Sequence, residues 1–447
     1  MTAEQPTRTD GLTLKGVATR ERILTCAAEI ILADGLVGLS LDKVRLRAEV
    51  SGSQLTHYFD GKQSLIRAVL DRQMNLVMSI HETPSLGNLE TWEEWENWVE
   101  VNVRSLRRFG YCGRPTYHGL AGQLAKSDDS TRAAVARGYR RWVQFFEDRL
   151  SRMKAEGVLV STADPSRLAL VVVAAHQGGC LVSFTHRRAW PLASTLRFIV
   201  NYLRMFASDP TERAPGRFRQ PWEPRGPRAA RAHPAEPRLT RKGLATRGRI
   251  VEGAAELMFE RGVRNTSLDD VRKSVGVSGS QLSHYFVDKR DLALQVIAVR
   301  SAGVQDCLSR VEFGALATMH DLRAWRDDCI GEARTVYLAG GCPYGSLAAE
   351  LLDSDGALVD ALVDGYDEWL QRLRDGLTSM VRRGELSAEA NVRHLAVSLL
   401  TAHQGGATLS HAMGSVEPAT VLLVAAVDYV TSFQKPAGAA VSAPAAE

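Results

Sequence analysis

The residues with the most capacity for specific chemistry sit in two short stretches. Val50 to Phe59 reads VSGSQLTHYF, and Val277 to Phe286 reads VSGSQLSHYF, with Thr56 against Ser283 the single difference. On a helix, at 100° per residue, Leu55 and Phe59 share one face with Tyr58 beside them. Ser53 and His57 lie opposite, flanked by Gln54 and Thr56. That outward face is small, polar and rich in donors and acceptors. A Gln amide can make a two-pronged bond to an adenine edge, Ser and Thr can bond any base edge, and a Thr methyl can touch a thymine methyl. Gly52 lets the helix start approach a surface closely. Lys62, Tyr58, Lys15, Arg20 and Arg22 are placed for backbone phosphates. The second copy puts Gly279, Ser280, Gln281, Ser283, His284, Tyr285 and Lys289 in the same positions.

The elements around these residues are readable too. Ser40 is a good N-cap for LDKVRLRA, with Asp42 in the first turn where a carboxylate favours the helix dipole. Ser267 is its counterpart, and both serines belong with the candidate DNA-contacting set. That helix should end near Ala48, and Ser51 should cap a second short helix running to about Tyr58. A longer helix comes first, with Ile23, Ala27, Ile30 and Ile31 on its apolar face and a stop near Gly35. Two short helices joined by a tight turn after a longer one make a helix-turn-helix. A polar helix face is often merely solvated. Here the outward residues are kept between the copies, while Lys43 against Asp270, Arg47 against Ser274 and Gln63 against Arg290 differ.

The duplication is far wider than ten residues. An offset of 227 also relates Ala27-Ala28-Glu29 to Ala254-Ala255-Glu256, Trp98 to Trp325, GYRRW at Gly138 to GYDEW at Gly365, and AHQGG at Ala175 to AHQGG at Ala402. No gap is needed from about residue 15 to about residue 205, so the chain is a tandem of two similar units. The layout expected is a tail (1–14), a helix-turn-helix domain (15–65) and a larger helical domain (66–208), then a linker (209–238), a second helix-turn-helix domain (239–292), a second larger domain (293–434) and a tail (435–447). The linker holds seven prolines, seven arginines and no Leu, Ile, Val or Met, a composition that predicts disorder. About 30 Pro-rich residues could reach roughly 90 Å. Apolar residues recur at three and four and strand-like alternation is absent, so the fold class is all-α.

Apolar and charged residues make up 45% and 24% of the chain, as in soluble globular proteins, and the net charge is +4. A non-specific architectural DNA binder would need a larger basic surface. The six cysteines are scattered without a C-x-x-C pair, which argues against a zinc cluster or a disulfide framework and for a reducing, cytoplasmic setting. No metal or cofactor is expected. The N-terminus lacks the apolar core of a signal peptide, and the run from Leu168 to Ala175 is too short for a membrane span. No phosphate-binding loop, nucleophile elbow or zinc-protease motif appears. Cys112 and His118 could be imagined as nucleophile and base, but the second copy has neither, so an enzyme is disfavoured.

TRERILTCAAEIILADG with AEVSGSQLTHYFDGK, and TRGRIVEGAAELMFERG with VGVSGSQLSHYFVDK, resemble the TetR family of bacterial repressors. The likeness is close over the first third of each unit. It is looser beyond, through GCPYGSLAAEL at Gly341 and AHQGG. Three departures stand out: Glu49 replaces the turn glycine kept as Gly276, Thr56 and Ser283 stand where a tyrosine is usual, and Arg45 and Arg272 stand where alanine is usual. The last pair could add a backbone contact or be paired locally. The resemblance implies a homodimeric architecture in which the last two helices of each subunit form a four-helix interface. Here those helices would be about Ser166–His186 with Pro191–Phe206, and about Ala390–Met413 with Pro418–Phe433. Gly178, Gly179, Gly405 and Gly406 would permit close helix approach. AHQGG is favoured as a packing motif over a ligand contact.

The resemblance further implies double-stranded DNA as partner and a small-molecule effector of unknown identity that releases it. Candidate cavity residues are Trp95, Trp98, Tyr117, His118, Trp142, Phe146 and His176 in unit one, and Leu322, Trp325, Tyr344, Gly345, Trp369, Leu373 and His403 in unit two. The differences His118/Gly345 and Phe146/Leu373 suggest that the two cavities are not equivalent. The two units are expected to pair with each other as a covalent pseudo-dimer on a near-palindromic operator. The alternative assembly is a dimer of chains with four reading heads.

Overall fold

The computed structural model describes residues 12–112, 115–213, 239–352, 354 and 356–434. Unit one contains α1 (Leu14–Gly38), α2 (Leu41–Arg47), α3 (Gly52–Tyr58), α4 (Lys62–His81), α5 (Trp92–Phe109), α6 (Tyr117–Leu124), α7 (Asp129–Ala155), α8 (Pro165–His186) and α9 (Trp190–Arg204). Unit two contains α10 (Arg241–Arg261), α11 (Leu268–Val275), α12 (Gly279–Tyr285), α13 (Lys289–Leu308), α14 (Met319–Glu332), α15 (Leu338–Gly340), α16 (Pro343–Glu350), α17 (Gly356–Arg382), α18 (Val392–Met413) and α19 (Glu417–Thr431). Among the described residues, extended pairing is limited to two isolated bridges, Leu159 with Ala207 and Leu386 with Gln434. The fold is all-α.

Gly35 does interrupt the first helix: its φ of 69° breaks α1 before a last turn to Gly38. The turn between α2 and α3 needs a left-handed residue. Gly276 supplies it in unit two at φ 69°, and Glu49 is forced into it in unit one at φ 51°, a conformation that costs a residue with a Cβ about 1–2 kcal/mol. Most of the expected linker, and both tails beyond Leu12 and Gln434, lie outside the described residues. The linker's first residues are helical rather than irregular: Pro210–Arg213 form a 3-10 turn, and Asp209 accepts the Thr211 backbone N–H at 2.8 Å.

The two units meet through α8, α9, α18 and α19, with α8 packed along α18. At their crossing the backbones touch. A Cβ on Gly178 would overlap the Thr401 carbonyl, and one on Gly405 would overlap the Ala174 carbonyl. From Leu168 to His186 every residue of α8 is buried. The helix is 22 residues long and apolar enough to cross a membrane. The expectation of too short a run therefore fails, because the helix continues through His176-Gln177-Gly178-Gly179. What argues for a core helix is its burial against α18, α9 and α7.

The polar contacts between units are one-sided. The Asn201 amide donates to Tyr429 Oη (2.9 Å), which lies 3.1 Å from His394 Nε2, and His394 Nδ1 lies 2.9 Å from Ser194 Oγ. The positions related by the repeat hold Asp428, Tyr202, Arg167 and Val421. A unit-one pair would therefore set Arg167 against Ser194, and a unit-two pair would set His394 against Val421. The interface fits one copy of each unit.

Candidate DNA-reading heads and ligand cavity

The two heads are built alike. Ser51 and Ser278 cap α3 and α12 in reciprocal boxes. Ser51 Oγ accepts the Gln54 N–H at 3.1 Å while Gln54 Oε1 accepts the Ser51 N–H at 2.8 Å, and the second copy repeats this at 3.1 and 2.9 Å. The inward residues Leu55, Phe59, Leu282 and Phe286 are buried. Gly52, Ser53, Gln54, Thr56 and His57 are exposed, as are Gly279, Ser280, Gln281, Ser283 and His284. The box alters the role expected of the glutamines. Each carbonyl oxygen is engaged in the cap, which restrains the amide that a two-pronged adenine contact would have to present.

Several expected phosphate contacts are also committed inside the fold. Lys62 Nζ donates to the Leu36 carbonyl at 2.9 Å, and Lys289 Nζ reaches the Arg264 carbonyl at 3.5 Å. The first closes the last turn of α1, where carbonyls lack helical partners, and the second braces the loop just beyond α10. Arg22 Nε donates to the Ala48 carbonyl at 2.8 Å, and Arg20 stacks 5.6 Å from the Phe59 ring centroid. Lys15 is exposed, and Tyr58 and Tyr285 are half-buried at the start of α1 and α10. Ser40 and Ser267 are spent as N-caps. Arg45 and Arg272 pair with Asp42 (3.6 Å) and Asp269 (2.6 Å) one turn earlier.

Unit one holds a cavity of about 520 Å³ among α1, α4, α5, α6, α7 and α8. Tyr117, His118, Trp142 and His176 line it as expected, and so do His81, Asn102 and Gln177, which the sequence alone did not single out. Within AHQGG, Gly178 packs on α18, as the packing reading expects, while His176 and Gln177 line the cavity. Trp98 and Phe146 stand behind the wall. The Trp98 indole donates to His81 Nδ1 at 3.0 Å, and Phe146 stacks on Trp95 at 5.7 Å. His176 Nε2 lies 3.1 Å from Asn102 Oδ1, and His118 Nδ1 lies 2.7 Å from Gln177 Oε1. An amide oxygen can only accept, so His118 carries its proton on Nδ1 and presents a lone pair at Nε2, which has no partner in the protein.

The candidates in unit two are all buried and enclose a packed core. A π-helical segment, Ala333–Tyr337, joins α14 to α15 and turns Tyr337 inward. Its counterpart in unit one is Gly110, a residue on the cavity wall. Tyr337 Oη lies 2.7 Å from His403 Nε2, His403 Nδ1 lies 3.2 Å from Gln404 Nε2, and Gln404 Oε1 accepts the Tyr366 hydroxyl at 3.1 Å. Gln404 occupies the space that a side chain on Gly345 would need. Trp325, Tyr344, Trp369 and Leu373 pack around this closed network.

Burial holds the imidazoles of His176 and His403 down to about 3 and that of His394 down to about 4. All three are neutral in the folded chain near pH 7. The unfolded chain takes up these protons as pH falls below about 6.5. Stability is therefore complete above that pH and is lost as pH falls from there toward 4, by roughly 1.4 kcal/mol per pH unit for each histidine. Urea unfolding should show a clearly lower midpoint at pH 5 than at pH 7. Equal midpoints would mean that these imidazoles are not buried neutral.

Three family descriptions match the chain. "Bacterial regulatory proteins, tetR family" covers residues 250–296 and "Tetracyclin repressor-like, C-terminal domain" covers 318–426. "Transcriptional regulator LmrA/YxaF-like, C-terminal domain" covers 94–197. Similar curated proteins include the HTH-type transcriptional regulators TtgW and SrpR of Pseudomonas putida. Each is 36% identical over 76 residues, which is 17% of this chain and 55% or 35% of theirs. The chain thus spans about half or less of the length of these two relatives. An HTH-type regulator of Lactococcus lactis is 23% identical over 35% of this chain and 82% of its own. Among solved structures, a regulatory protein TetR from Rhodobacter sphaeroides is similar at 22% identity, covering 41% of this chain and 98% of its own with a TM-score of 0.38. With both larger domains and a helix-turn-helix domain matched, and the two heads near-identical, the chain belongs to the TetR family of helix-turn-helix transcriptional regulators, in a tandem arrangement.

Proposed function

We propose that the chain is a sequence-specific repressor that acts as a covalent pseudo-dimer on a near-palindromic operator and is released by a small molecule bound in its larger domain. The observation that carries this reading is the pair of identically capped helices, α3 and α12, showing the same exposed residues from two units that pack through α8 and α18. The one-sided Asn201–Tyr429–His394–Ser194 chain favours pairing of unlike units, which a single chain contains. The base-reading residues proposed are Ser53, Thr56 and His57 with Ser280, Ser283 and His284, together with the amide donors of Gln54 and Gln281. Six free cysteines suit work in a reducing cytoplasm.

DNA selected from a random pool by the full chain should be palindromic, with half-sites one helical turn, about 34 Å, apart. It should bind at least about a thousandfold tighter than random DNA. His57→Ala with His284→Ala should weaken binding to that site by about 1–3 kcal/mol per lost contact and leave the fold unchanged. Unrelated half-sites would contradict the symmetric reading, and unchanged affinity would remove the histidines from the base-reading set.

A further inference from the structure

We infer that the chain has one effector site for its two reading heads, the unit-one cavity, and that this site takes a neutral, mostly apolar molecule bearing a hydrogen-bond donor. The inference rests on the proposed effector-controlled function and adds to it which unit binds and what chemistry is bound.

The walls are largely apolar: Leu32, Leu76, Leu106, Phe109, Trp142 and Phe184. Two charged residues reach the lining, and each is paired elsewhere, Glu29 with Arg47 at 2.9 Å and Arg72 with Glu21 at 2.6 Å. Burial lowers the imidazoles of His81, His118 and His176, so all three are neutral at pH 7. A charged ligand would lose its hydration and meet, among the described lining residues, no opposite charge that is not already paired. His118 Nε2, a lone pair, and Trp142 Nε1, an N–H, are buried polar atoms of lining residues without a protein partner, and a ligand hydroxyl could satisfy the first as donor and the second as acceptor. At about 520 Å³ the space falls within the usual range for small-molecule sites.

In unit two the same place is closed by residues of the chain itself. Tyr337 supplies both the bulk and the hydrogen bond, and Gln404 fills the position left by Gly345. The polar groups of Tyr337, His403, Gln404 and Tyr366 satisfy one another.

One site can bias both heads because it touches the first and is linked through one side chain to the second. Thr25, Ala28 and Leu32 of α1 line it from the first reading domain. Leu352 lines it from unit two, and two residues earlier Glu350 Oε2 accepts the Val263 backbone N–H (2.5 Å) at the end of the second domain's first helix. Glu350 Oε1 binds Lys126, just beyond α6, whose first residues Tyr117 and His118 form another wall.

The test is isothermal titration of the full chain with 2-naphthol, 2-methoxynaphthalene and 2-naphthoate. 2-Naphthol should saturate at one equivalent per chain. The methoxy compound, lacking a donor, should bind several-fold more weakly, and the carboxylate at least tenfold more weakly. Leu106→Trp should abolish binding, and His118→Phe should erase the preference for hydroxyl over methoxy while binding persists. Tyr337→Ala should add a second equivalent and leave the first intact. Two equivalents in the unmodified chain, a site that survives Leu106→Trp, or carboxylate binding as tight as naphthol would overturn the inference. One saturable site whose filling leaves operator affinity unchanged would support the single site and sink the effector reading.

Discussion

Gly178→Ala should destabilise the chain by about 3 kcal/mol, the upper end of the usual range for overpacking a core. The reason is the partner it meets. A Cβ there overlaps the Thr401 carbonyl, and backbone cannot rotate away as a flexible side chain can. Gly405→Ala faces the Ala174 carbonyl across the same crossing and should behave alike. Relief requires α8 and α18 to separate, which loosens the whole four-helix interface and with it the spacing of the two heads. Gly248→Ala is the control. That glycine lies exposed within α10 with nothing near its missing Cβ, so the change should stabilise by up to about 1 kcal/mol. Urea unfolding of the three variants measures this, and a Gly178→Ala midpoint equal to the parent's would mean that the helices do not cross where the glycines lie.

Lys126→Met should cost about 3–5 kcal/mol, the usual penalty for leaving one partner of a buried ion pair alone. Lys126 and Glu350 join the units with side chains 3% and 4% exposed and Nζ 2.9 Å from Oε1. Lys126 also donates to Ser346 Oγ (2.5 Å) and the Met258 carbonyl (3.4 Å). Without the lysine, Glu350 keeps its bond to Val263 and loses its ion-pair partner. Lys126→Met combined with Glu350→Met should recover most of the loss, since replacing both members of such a pair with apolar side chains is often neutral. Additive losses in the double variant, read by the same unfolding assay, would show that the two residues do not act as a pair. The link has no mirror image, because the counterpart of Glu350 is Gln123, whose Oε1 lacks a partner.

Much of this architecture is legible in the amino-acid order. The 227-residue repeat gives the two units, Ser51 and Ser278 give the starts of the short helices, and the glycines of AHQGG give the close crossing. What could not be read there depends on where side chains find partners across distance. Gln54 looks like a base reader on a helical wheel, yet the unsatisfied Ser51 N–H claims its oxygen. Lys62 looks like a phosphate ligand, yet the end of α1 needs a donor and Lys62 supplies it. Tyr337 could be noticed only by setting it against Gly110, and even then the π-helical segment that turns it inward has no sequence mark. Lys126 and Glu350 are 224 residues apart, and neither position repeats, so no periodicity joins them.

In the proposed pseudo-dimer one chain places both heads on one operator. The most direct measurement is the mass of the complex between the full chain and a duplex carrying its selected site, by native mass spectrometry at concentrations near the dissociation constant. One chain per palindromic duplex is expected, with His57→Ala alone or His284→Ala alone each weakening the same complex. Two chains on every palindrome, or full-affinity binding of one chain to an isolated half-site, would contradict it.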